Sequence, residues 1–286
     1  MAVSVLFDEP GPKARARFRI YNIVFLLLLA AAIWYVIDKF NDAGQFDAMI
    51  YERLSESGVI KELREGLFAT LKAAAIAIVL SLTLGMLLAV ARLSDRAWIR
   101  VPATAFVEFF RAIPLVLMII FFFLVLAVQT KWASETQGLV ALVAGLTLYN
   151  GSVLCEVFRA GVNAVPKGQG EAAYAVGMRK NQVMRLVLIP QAVKFMLPAI
   201  ISQCVVVLKD TSLGYIVTYT ELLRASRIVA SYAGSFLITY LLVAVIYIVM
   251  NSILSALAYW LERRLSSRGR GSAEAVEAVH DQLPVG

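Results

Sequence analysis

Long apolar runs alternate with short charged intervals along this chain, and six runs are long enough to cross a bilayer. They lie at 20–37 ("IYNIVFLLLLAAAIWYVI"), 67–91, 101–128, about 137–159, about 191–208 and 236–261. A spanning segment must satisfy its backbone groups internally, because hydrocarbon offers no water, so each run predicts a helix. The expected fold is all-α and integral to the membrane, with about six transmembrane helices. Segment 209–235, "KDTSLGYIVTYTELLRASRIVASYAGS", is too polar to span and too apolar for a plain loop. It is expected to be a broken or re-entrant piece packed against protein. From Ser266 onward the residues are small and polar, which predicts a flexible tail over 264–286.

The first run has a basic start and small residues at Ala30 to Ala32, as a cleaved signal would. Yet "IWYVI" carries the apolar run past them, where a cleavage site should turn polar, so a retained anchor is expected.

Composition sharpens the class. Hydrophobic residues make up 60% of the 286, against about 45–50% in a soluble domain. The formal charge of +7 raises nucleic acid as a partner. Its distribution excludes that reading, because the basic residues flank apolar runs as topology signals do. Arg15, Arg17 and Arg19 precede the first run, and Arg92, Arg96 and Arg100 separate the second from the third. Lys167, Arg179, Lys180 and Arg185 lie between the fourth and fifth, and Arg263, Arg264, Arg268 and Arg270 follow the sixth. Six crossings put all four groups on one side, the cytoplasm, together with both termini. The opposite loop, 38–66, is acidic, with Asp38, Asp42, Asp47, Glu52, Glu56, Glu62 and Glu65.

Catalytic chemistry is scarce. Cys155 and Cys204 sit inside apolar runs in no metal-ligand spacing, and His280 is the one histidine. Neither a metal site nor a histidine-based triad can be assembled, so no catalytic residue is expected.

The stretch 168–190, "GQGEAAYAVGMRKNQVMRLVLIP", is polar and helix-forming between two spans. Gly168 and Gly170 free the backbone before a short run, Glu171 favours its first turn, and Gly177 stops it after about two turns. Pro190 opens the fifth span, where proline is tolerated. Physics alone leaves two readings: a lever that a soluble partner pushes, or an amphipathic helix resting on lipid headgroups.

Resemblance separates them. With Glu171, Ala172, Ala173, Gly177, Ile189 and Pro190 in matching register, the stretch resembles the EAA loop of bacterial ABC-importer permeases. "GLFATLKAA" (66–74), "FVEFFRAIPLVL" (106–117) and "VVVLKDTSL" (205–213) are similar to motifs of the polar amino acid uptake branch, in the same order. The resemblance covers about 66–263 and implies a type I importer (MetI-like) permease domain there. Around it would lie a cytoplasmic segment at 1–19, a first helix with an external loop at 20–65, and the tail. "LYNGSVLCEVFRAGV" departs from the pattern, with Ser152 and Val153 where many members have Ala-Tyr. It looks more like the glutamate permeases of actinobacteria, which pair two different permease chains.

The resemblance implies that 168–190 holds a coupling helix docking in a groove of the ATPase, with Gly168, Glu171, Ala172, Ala173, Gly177 and Pro190 as its residues. It also implies an ATPase dimer carrying ATP and Mg, a second homologous permease, an extracellular binding protein and a polar amino acid, glutamate or a relative, as cargo. The chain has no GxxxxGK[ST] phosphate loop, and "GVNAVPKGQG" has the wrong order. ATP hydrolysis is therefore expected on another subunit, with no cofactor on this one, in the bacterial plasma membrane.

Polar groups inside spans mark the candidate path, because an intramembrane charge costs about 2.5–3.5 kcal/mol on insertion scales. Glu108 and Arg111 share a helix face on the third span, and a straight helix puts Arg111 roughly 15 Å deep. Glu156 and Arg159 repeat the spacing on the fourth span, with Asn150 and Ser152 deeper. Each pair reads either as a site or as a self-neutralising structural pair. Lys209, Asp210, Thr211 and Ser212 offer a cation, an anion and two hydroxyls, or else the capped start of an outer helix. An arginine fork suits the carboxylate of an amino acid. The rival reading is a stand-alone ion-coupled carrier.

Overall fold

The computed structural model describes residues 11–280, with side chains through Trp260. The first ten residues of the N-terminal segment, the side chains of the tail at 264–286 and all of 281–286 lie outside the described residues. The chain forms α1 (Pro12–Asp42), α2 (Ala48–Leu54), α3 (Ser57–Arg92), α4 (Ala97–Ala112), α5 (Leu115–Gln129) and α6 (Ser134–Asn163). Then come α7 (Lys167–Ala175), α8 (Lys180–Gln182), a π-helix (Val183–Leu188), α9 (Ile189–Asp210), a 3-10 helix (Thr211–Val217), α10 (Leu222–Ala233) and α11 (Phe236–His280). No strand occurs among the described residues.

Five helical segments are long and apolar enough to cross a membrane, and the α4–α5 pair supplies a sixth only as a bent unit. α1 buries no residue, so its apolar surface faces outward all round. The core is built on α3 and α6. Ala73, Ala77, Ser81, Gly85 and Ala89 recur every fourth residue on α3 and are all buried, a stripe of small residues that lets α6 approach closely. Ile119, Leu142, Leu146, Val207 and Val217 fill one apolar cluster against that stripe. Leu154, Phe158, Ala192 and Met196 fill a second, nearer Arg92. At the other end Val59, Leu63, Leu222, Val229 and Val243 join α3 to α10 and α11.

The expected third span is not straight. α4 and α5 meet at 98° around Ile113 and Pro114. Proline has no N–H to continue the helical ladder and disfavours helical backbone in the residue before it, and Ile113 is extended. The single straight third span assumed in placing Arg111 is therefore absent, because the rise along α4 runs in a different direction from the rise along α5.

Segment 209–235 is packed on protein, as its mixed composition predicts. Its helix starts, however, are not where Lys209–Ser212 suggested. α9 runs unbroken through Pro198 to Asp210, and the 3-10 helix follows directly, so neither Asp210 nor Thr211 caps a new α-helix.

Candidate functional site

Two ends of the bundle carry the chemistry. The basic end holds Arg92, Asp95, Lys180 and α7; the opposite, acidic end holds α2, the start of α3 and α10.

At the basic end α7 begins at Lys167, one residue before Gly168, so the glycines lie inside the helix rather than ahead of it. Glu171 is consequently past the first turn. Gly177 does stop the helix. Its φ is +82°, and the Gly177 N–H donates to the Tyr174 carbonyl at 2.9 Å while Met178 N–H reaches back to Ala173 at 3.2 Å. This is the paired C-terminal lock that a left-handed residue permits. Ala173 is the buried residue of α7, whereas Glu171 and Ala172 point outward and Tyr174 and Val176 are 50% and 77% exposed. α7 is therefore an outward-facing surface of mixed apolar and charged character.

Behind it, Gln191 of α9 donates to Gln169 of α7 at 3.1 Å, and Lys180 pairs with Asp95 in the α3–α4 link. Pro190 stands in the first turn of α9, immediately after the π-helix. α7 is thus linked to α9 by Gln191–Gln169 and the short π segment, and the start of α8 to the α3–α4 link by Lys180.

Glu108 and Arg111 join Glu156 and Arg159 in one cluster. Arg92, which sequence reasoning used only as a topology marker, is its centre. Arg92 pairs with Glu156 and lies 3.7 Å from Glu108. Arg111 lies 3.5 Å from Glu156 and 4.0 Å from Glu108. Arg159 completes the set at 2.9 Å from Glu156. The end of α4 reaches this cluster just before the bend at Ile113–Pro114. Three guanidiniums meet two carboxylates, which leaves one positive charge in surplus.

Deeper in, the Gln203 side chain of α9 donates to Asn150 of α6 at 2.6 Å, and Asn150 donates to the Leu146 carbonyl at 3.0 Å. Ser152 is buried and bonds its own helix at Leu148, 2.8 Å away, so it presents no free hydroxyl. Thr211 likewise bonds Leu208 at 2.6 Å. Lys209 is exposed and Asp210 half-buried. With Ser212, Tyr240, Tyr247 and Asn251, Lys209 borders a cavity of about 800 Å³ between the end of α9 and α11. Lys209–Ser212 and Arg111 therefore lie toward opposite ends of α9, with Asn150–Gln203 between them.

The acidic end holds a residue that sequence reasoning passed over. Glu221 is fully buried and caps α10, accepting from the Leu223 and Arg224 N–H groups, each at 2.8 Å. Tyr247 of α11 donates its hydroxyl to the same carboxylate at 2.9 Å. Burial pushes Glu221 up to about 7, against the pull of these three donors. A glutamate before an amphipathic helix was the available signal.

The structure is thus a bundle of spanning helices with a short exposed helix at one end and five charged groups from three helices brought together. The family model for the binding-protein-dependent transport system inner membrane component matches residues 81–267. The chain is 42% identical over 217 residues to the glutamate transport system permease protein GluD of Corynebacterium glutamicum, covering 76% of this chain and 79% of that one. It is 31% identical to the glutamate/aspartate import permease protein GltK of Escherichia coli, covering 71% and 92%. Among solved structures, an amino acid ABC transporter with histidines aligns with a TM-score of 0.67 at 30% identity, covering 74% of this chain and 97% of that one. The MetNI methionine ABC transporter aligns at 0.60 and 21% identity, covering 73% and 99%, a likeness of fold.

The chain belongs to the binding-protein-dependent transport system inner membrane component family. It is the multi-pass permease of an ABC importer, a role in which ATP hydrolysis falls to a separate subunit.

Proposed function

We propose that this chain moves a polar amino acid, glutamate or a close relative, across the plasma membrane. Both termini and the 168–190 stretch face the cytoplasm. Its partners are an ATPase dimer that holds ATP and Mg, a second homologous permease chain and an extracellular binding protein. The observation that carries the reading is the outward surface of α7. Tyr174 and Val176 stand exposed next to Glu171 on a helix locked by Gly177 and tied to α9. Exposed aromatic and apolar side chains beside a charge are what a docking groove buries.

The path follows the polar stations. The surplus positive charge around Arg111 and Glu156 suits a substrate carboxylate, and an arginine fork can pair with it bidentately. Asn150–Gln203 lies roughly 9 Å along α6 from Glu156, and Gln203 is about the same distance along α9 from Lys209, at 1.5 Å per residue. Asp210, half-buried beside Lys209, is the carboxylate available for the substrate's ammonium. Glu108 and Glu156 keep the arginines from binding an anion too tightly to release it. Conversely, a carrier driven by ions alone would leave the α7 surface without a use.

The test is uptake of labelled glutamate into vesicles holding the complete complex, with a panel of unlabelled amino acids as competitors. ATP-dependent uptake, insensitive to protonophore and suppressed best by glutamate, aspartate or glutamine, is expected. Protonophore-sensitive uptake without ATP would establish the carrier instead.

A further inference from the structure

We propose that Glu221 is a positioning residue, a buried clasp that holds the Lys209–Ser212 end of the path in the shape that receives substrate. The proposal rests on the reading of Lys209–Ser212 as part of the path.

The side chain is an unusual choice for its local task. Capping a helix start calls for a short oxygen such as Ser, Thr or Asp. Glutamate is longer, and a carboxylate with no exposure is heavily penalised by desolvation unless its oxygens are satisfied. The extra length is used. Besides the two N–H groups of α10, the carboxylate takes the Tyr247 hydroxyl from α11, which a shorter cap would not reach.

The clasp then extends to a third helix. The next N–H, that of Leu222, donates to Thr70 of α3 at 3.0 Å, and Thr70 donates onward to Gly66 at 3.0 Å. Tyr219 adds a bond from its hydroxyl to the Ala69 carbonyl at 2.9 Å. Glu221 thus sits where α3, α10 and α11 are tied together.

Its reach into the path is direct. The Glu221 Cγ lies 3.2 Å from where a Cβ on Gly214 would stand, and Gly214 is two residues beyond Ser212 in the same 3-10 helix. Tyr247 also forms part of the wall of the cavity that Lys209, Ser212 and Asn251 border. The Asn251 Oδ1 is buried with no hydrogen-bond partner among the described residues, so that wall has an unused acceptor. Loss of the clasp frees the 3-10 helix and Tyr247 together, which alters the substrate-receiving wall before it unfolds anything.

The experiment measures KM and kcat for ATP-driven glutamate uptake by the complete complex carrying Glu221→Gln, Tyr247→Phe, Thr70→Val or Thr70→Ser. An amide at 221 keeps one acceptor oxygen but sets an NH2 against the donors of the other, and Tyr247→Phe removes one donor while leaving the cap intact. KM should rise about fivefold to tenfold in Glu221→Gln, as the loss of one or two buried hydrogen bonds implies, with kcat within about twofold. Tyr247→Phe and Thr70→Val should move KM the same way by a smaller factor, and Thr70→Ser should restore it. If Glu221→Gln fails to assemble, Tyr247→Phe and Thr70→Val decide. Unchanged KM in both, with only a lower unfolding temperature, overturns the proposal and leaves a structural cap. A wild-type complex that ignores glutamate but imports another amino acid of the panel defeats the substrate assignment alone, and the KM comparison is then made on that amino acid.

Discussion

The two ends of this permease hold polar groups in opposite ways. At the acidic end Glu221 is fully buried with each bond made inside the chain. At the basic end α7 buries Ala173 and turns Glu171, Tyr174 and Val176 outward. The difference teaches which end is finished by the chain itself. A buried carboxylate must be satisfied locally or the fold loses several kcal/mol. An exposed apolar helix face costs little in isolation and becomes useful only when another protein covers it. The closed end satisfies its polar groups within the chain; the open end leaves α7 exposed.

The comparison breaks most sharply on α7. Glu171→Arg reverses the charge on the exposed face of α7, the proposed docking face, while leaving its buried side untouched. It should cut ATP-driven uptake by at least about tenfold, the loss expected of a central contact, with the permease still expressed and folded. Co-purification of the ATPase with the variant checks this. Normal co-purification and normal uptake would mean that α7 rests on lipid.

Glycines give the next contrast. A Cβ on Gly138, at the closed end, would lie 2.2 Å from the Val217 carbonyl oxygen, a backbone atom that cannot step aside. Gly138→Ala should therefore cost about 3 kcal/mol or more, as overpacking against backbone does, or prevent assembly. At the open end a Cβ on Gly177 meets nothing within 4 Å, but φ is +82°. Gly177→Ala should cost only about 1 kcal/mol, the left-handed penalty. Thermal unfolding of the purified chain in detergent measures both.

Ion pairs divide by burial, and the exposed one gives the smallest effect. Arg92 is 10% exposed and holds two glutamates, so Arg92→Ala should destabilise by roughly 2–4 kcal/mol, with Arg111 and Arg159 left to steady Glu156. The Lys180–Asp95 pair is 46% and 78% exposed, and Lys180→Ala should cost under about 1 kcal/mol. The same unfolding assay distinguishes them. A large loss from Lys180→Ala would show that the α3–α4 link carries more of the load on α7 than its exposure suggests.

Much of this was legible along the chain, and for identifiable reasons. Apolar runs announce spanning helices because hydrocarbon imposes one rule on every backbone group. Gly177 marked the end of α7 because the left-handed residue there is a local requirement. The Glu–Arg spacings on the third and fourth runs also marked polar faces. What local pattern did not reveal was that these faces meet. Arg111 was placed along one straight third span, whereas α4 and α5 are bent apart and Arg111 shares Glu108 and Glu156 with Arg92. Ser152 and Thr211 read as polar candidates for the path, yet each donates its hydroxyl to a carbonyl three or four residues back.

By itself, then, the sequence determined the class of the molecule, the number of apolar runs, the polar helical stretch between the fourth and fifth of them and the family to which the chain belongs. Those properties depend on residues close in the chain, whose spacing a reader can count. Only the tertiary structure decided that five charges from three helices form one cluster and that Glu221 joins α10 to α11. The physical reason is that side-chain reach is a few ångströms. Which groups come within it is set by how helices bend and cross, through contacts between residues far apart in the chain.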